Sequence, residues 1–68
     1  MWKVYKWNGR YIMGDLVSKH SSEDAALKKA AKEIKFTFAD KTKKDKETCI
    51  WLDDKNHTPL GVIIKKSR

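Results

Sequence analysis

Apolar and polar residues alternate from the first positions of the chain. Trp2-Lys3-Val4-Tyr5-Lys6-Trp7 sets β-branched and aromatic residues among lysines, the period-two pattern of a half-buried strand. Asn8-Gly9 follows at once, and both residues tolerate positive φ, so the run predicts a hairpin with a two-residue loop. In that register Trp7 faces Arg10, Tyr5 faces Ile12 and Val4 faces Met13; the return strand covers residues 10 to about 17, with a bulge or bend at Gly14.

The period then changes. Ser21 or Ser22 offers an N-cap, Asp24 completes a Ser-x-x-Asp arrangement, and Glu23 and Asp24 place negative charge at the positive end of a helix dipole. Leu27, Ala30, Ala31, Ile34 and Phe38 recur at helical spacing as one apolar stripe, with Lys28, Lys32 and Lys35 on the adjoining face. Residues 39 to 47 are polar and lysine-rich without periodicity and read as a mobile loop. Residues 48 to 53 and 60 to 65 are two further strands joined by the turn-rich Asp54-Lys55-Asn56-His57-Thr58-Pro59, a second hairpin. The expected fold is α+β in the order ββαββ: a mostly antiparallel four-stranded sheet with one amphipathic helix on one face. Residues 1 to 66 form this single domain, residues 67 and 68 are a frayed basic tail, and no internal repeat appears beyond the two hairpins.

Strand alternation sorts side chains to two faces, one of which the helix stripe must bury. Ile50, Leu52, Leu60, Val62 and Ile64 make an inward set, matched in the first hairpin by Trp2, Val4, Tyr11 and Met13, with Leu16 or Val17. The opposite face then carries Lys3, Tyr5, Trp7, Arg10 and Ile12 from one hairpin and Cys49, Trp51, Ile63 and Lys65 from the other. Three aromatics interleaved with basic residues on an open sheet suit single-stranded nucleic acid, because bases stack on rings and Lys or Arg neutralises phosphate. Two plainer readings compete. The rings are cross-strand packing partners under lysine stems, or the face meets a second copy of the chain.

Charge sharpens the first reading. Among 68 residues, 16 Lys and Arg stand against 9 Asp and Glu, a formal net charge of +7, so polyanions are the natural partners. A chain this short buries only about 60% of its unfolded surface, which disfavours a large enclosed active site. The single cysteine, Cys49, forms no internal disulfide, and a disulfide-free small domain fits a reducing, cytoplasmic setting. No segment has the pattern of a signal peptide or the roughly 20 apolar residues of a membrane span, so no membrane partner is expected.

Other chemistry finds little support. The helix shows Lys and Glu33 rather than the Arg, Asn or Gln that read base edges, so sequence-specific groove binding is not expected; Lys28, Lys32 and Lys35 suit phosphate contacts. His20, His57 and Cys49 lack the paired spacing of zinc sites, and Asp53, Asp54 and Asn56 lack the glycine and the closing glutamate of a calcium loop. His20 reads as a helix flank and His57 as a turn residue. No nucleophile-base constellation or phosphate-binding glycine loop is present, so neither an enzyme, a cofactor, a metal nor a small-molecule substrate is expected.

Trp2-Lys3-Val4-Tyr5 before Asn8-Gly9-Arg10-Tyr11, then Ser22-Glu23-Asp24-Ala25-Ala26-Leu27 with Ala30-Ala31, then a strand ending in an aspartate-rich turn, resembles a group of short prokaryotic domains of unknown function. The resemblance implies a strand, strand, helix, strand, strand plan and no site. The functional expectation is a non-enzymatic domain that binds nucleic acid with low sequence specificity. Lys3, Tyr5, Trp7, Arg10, Trp51 and Lys65 would form the platform, aided by Lys28, Lys32 and Lys35; the alternative is a protein-interaction or homodimerisation module using the same face.

Overall fold

The computed structural model describes residues 1–7 and 14–66. The Asn8-Gly9 turn, Arg10, Tyr11, Ile12, Met13 and the tail at 67–68 lie outside the described residues. The fold is α+β, as expected, but five strands form the sheet rather than four. In chain order the elements are β1 (Trp2–Lys6), β2 (Asp15–His20), α1 (Glu23–Glu33), β3 (Phe38–Lys44), β4 (Glu47–Asp53) and β5 (Pro59–Lys66). All neighbours are antiparallel, in the order β2-β1-β5-β4-β3. The helix carries the chain from one sheet edge to the other, and the last three strands meander back until β5 lies against β1 at the centre.

The added strand overturns the expectation of a mobile loop at residues 39 to 47. Phe38–Lys44 pairs along its length with β4, from Phe38 opposite Asp53 to Lys44 opposite Glu47. Asp45, at φ 55, begins the two-residue turn between them. Phe38 therefore belongs to a strand and not to the helix stripe; the helix ends at Glu33, where Ile34 is already extended at φ −130. Its start is the expected one, with the Ser22 hydroxyl accepting from the Ala25 N–H at 3.2 Å.

The first hairpin differs in register. Tyr5 faces Leu16 and Val4 faces Ser18, not Ile12 and Met13, and of the return strand expected over 10 to about 17 the described part is β2, Asp15–His20. The irregularity falls opposite Val4 and Tyr5, beside Val17, rather than at Gly14. A bulge there lets Val17 reach the core while Ser18 and His20 bond each other at 2.8 Å.

The core lies between α1 and one side of the sheet: Ala26, Ala30 and Ile34 from the helix meet Trp2, Val4, Ile50, Leu52 and Ile63. Alanines in the helix stripe allow close approach over β1 and β2, where α1 makes most of its contacts. Ile63, placed outward by simple alternation, is in this core, whereas Val62 faces the other way; Ile64 and Lys65 exchange sides accordingly. Gly61 accounts for the helix-side approach. A Cβ there would lie 2.6 Å from both Ile34 Cδ1 and the Tyr5 carbonyl oxygen. Lys65 and Lys66, next to the expected frayed tail, are the last residues of β5.

Candidate functional site

The side of the sheet opposite the helix is laid out by the strand registers. One row runs Leu16, Tyr5, Val62, Trp51, Asp40 across all five strands, and the next runs Lys19, Lys3, Ile64, Cys49, Thr42. A third row, shorter, holds Lys66, Glu47 and Lys44. Trp7, just past the end of β1, stays tied to β5 through its backbone N–H, which donates to the Leu60 carbonyl at 2.8 Å, and continued alternation would bring its ring to this side.

Val62 is fully buried although no helix covers it. Its cross-strand neighbours are Tyr5 and Trp51, both half-buried, so the two rings close over Val62 and keep part of their surface in water. Two strand spacings, about 10 Å, separate the two strands that carry them. The next row lies about 7 Å away along the strands. There Lys3 and Lys19 stand directly opposite each other, both exposed. Like charges in that position cost stability and are not a packing solution.

Lys3, Tyr5 and Trp51 thus share one face. Lys65 does not: it lies on the helix side, its Nζ 5.2 Å from the centre of the Trp2 ring. Lys28 and Lys32 are exposed on the helix, hence across the sheet from Tyr5 and Trp51, and Lys35, expected on the same helix face, is exposed in the connection that follows the helix. Arg10 lies outside the described residues. The face gains Lys19, Lys44 and Lys66 in exchange; the shifted β1–β2 register, a corrected parity for β5 and a strand at residues 38–44 were the missing signals.

The β3–β4 corner of the same face is acidic. Asp40, Asp53 and His57 come together there, beside a stacked pair of rings, Phe38 and His57, with centroids 4.5 Å apart and planes at 12°. Burial and then the charge of Asp40 push the Asp53 carboxyl above its ordinary value, with His57 opposing. Asp54, by contrast, is a turn residue as expected: its Oδ1 accepts from the Asn56 and Thr58 N–H groups at 2.8 and 2.9 Å. Cys49 lies in a strand and donates to Glu47 Oε1 at 3.2 Å. Burial and Glu47 raise its pKa, which keeps it a thiol rather than a nucleophilic thiolate at neutral pH. A shallow open basin of about 400 Å³ at the β3–β4 turn is lined by Lys44, Asp45, Lys46, Glu47 and Lys66.

Among the described residues no helix is long and apolar enough to cross a membrane. No protein-family model, curated protein or solved structure matches the chain.

Proposed function

We propose that the protein binds single-stranded nucleic acid with low sequence specificity across the open face of its sheet. The observation that carries this reading is the pairing of two adjacent rows. Tyr5 and Trp51 offer flat surfaces in one, and in the next Lys3 and Lys19 hold like charge together without an acidic neighbour in their row. A phosphate backbone along Lys19, Lys3 and Lys66 relieves that repulsion, and its bases turn toward the rings, where each stacked base is worth about 1–3 kcal/mol. The binding role is non-enzymatic and needs no cofactor.

A second reading has its own support: Leu16, 46% exposed, extends the Tyr5–Val62–Trp51 row into an apolar stripe that suits another protein chain, including a second copy. One experiment separates the two. In an amide and indole NMR titration with a mixed-sequence single-stranded oligonucleotide, the Trp7 and Trp51 indole signals shift, Trp2 stays quiet, and the shifts fade as salt is raised. No indole shift at low salt would overturn the proposal, and concentration-dependent shifts without oligonucleotide would favour self-association.

A further inference from the structure

We propose that Asp40, Asp53 and His57 form a binding site for a divalent first-row transition ion of the zinc class. The three residues come from β3, the end of β4 and the β4–β5 turn, and their nearest ligand atoms all lie within 4.8 Å of one another. Donors that share a zinc ion each stand about 2.0–2.2 Å from it, so small rotations of the two exposed side chains, Asp40 and His57, bring the set to coordination distance.

A second observation concerns Asp53 itself. It is 9% exposed, the one buried charged residue among those described, and a carboxylate oxygen of Asp40 lies within 4.8 Å of its own. Among the described residues no lysine or arginine lies within 4.0 Å of it; its sole ion-pair neighbour is His57, whose Nδ1 is 4.0 Å from Oδ2, too far for a hydrogen bond. None of the described lysines is placed against this most buried of the described carboxylates. Buried carboxylates are ordinarily met by a basic side chain or a metal, and the space between these two is bordered by an imidazole.

The turn brings the imidazole to the site. His57 sits at φ 61, its backbone N–H donates to the Asp54 carbonyl at 2.9 Å, and its ring stacks on Phe38. One nitrogen and two carboxylates suit zinc and its neighbours, and three protein ligands leave a coordination position to water. Calcium is a poor match: it takes six to eight oxygens, and the nearby Asp54 Oδ1 is committed to two backbone N–H groups.

The test is calorimetric titration of the whole chain with Zn²⁺, followed by NMR of the His57 ring. Wild-type protein takes up one ion per chain. His57→Ala and Asp40→Asn, both at exposed positions, weaken binding by at least about tenfold, while the controls His20→Ala and Cys49→Ser bind as wild type does. Circular dichroism verifies that each variant is folded. Absence of saturable binding in the wild type overturns the site, as does binding that survives in His57→Ala and disappears in either control. Since none of these ligands belongs to the rings and lysines on which the nucleic-acid reading rests, loss of zinc binding leaves that reading untouched, and the reverse also holds.

Discussion

Gly61 decides which side of β5 faces the helix. Its hydrogen stands where Ile34 and the Tyr5 carbonyl leave no room for a methyl group, with both contacts at 2.6 Å from a built Cβ. Ile34 Cδ1 is the end of a flexible side chain and yields at small cost, but the Tyr5 carbonyl is part of the central β1–β5 ladder. Gly61→Ala is therefore expected to destabilise the fold by about 1–3 kcal/mol, seen as a lower urea midpoint at unchanged m-value. Adding Ile34→Val is expected to recover only part of the loss; full recovery would show that the backbone contact is harmless. The same residue explains where the sequence misleads. Val62-Ile63-Ile64 is apolar on both faces because β5 is central, so alternation is silent there. Ile50 and Leu52, flanked by Cys49, Trp51 and Asp53, were legible and lie in the core.

Strand β3 shows what an element owes to its neighbour. Phe-Ala-Asp-Lys-Thr-Lys-Lys has low β-propensity and charge on both faces, and every one of its residues is exposed. It is a strand because β4, buried in the sheet, offers it an unpaired ladder across the short Asp45-Lys46 turn. No pattern within residues 38–44 records that. The helix start was legible from its cap and acidic first turn, and the last two strands from apolar runs that pack in the core. As the sheet edge, β3 is exposed to pairing with other chains, and Lys41 and Lys43 guard it on the helix side. Lys41 also meets Glu23 at the start of the helix, an exposed pair of small energetic weight. Replacing both, Lys41→Val with Lys43→Val, is expected to leave the fold intact and to produce concentration-dependent association by light scattering. A double variant that stays at wild-type size across the range would show that the edge is protected by other means.

At the scale of the whole molecule, a net charge of +7 attracts any polyanion at low salt, so affinity alone says little about the open face. Geometry separates the contributions, because the lysines fall into two groups. Lys28 and Lys32 ride on the helix and Lys35 follows its end, whereas Lys3, Lys19 and Lys66 lie across the sheet with Tyr5 and Trp51. Changing either trio to glutamine removes the same three charges and weakens the distant field alike. Only groups that touch phosphate release counterions on binding, each contributing about 0.7 to the slope of log K against log salt on a single strand. The open-face trio is therefore expected to flatten that slope by about 2 and the helix trio to leave it nearly unchanged, measured by fluorescence anisotropy with a labelled single strand. Equal flattening by both trios would mean that the strand wanders over the whole basic surface, and the Tyr5–Trp51 row would then be a cover for Val62 and nothing more.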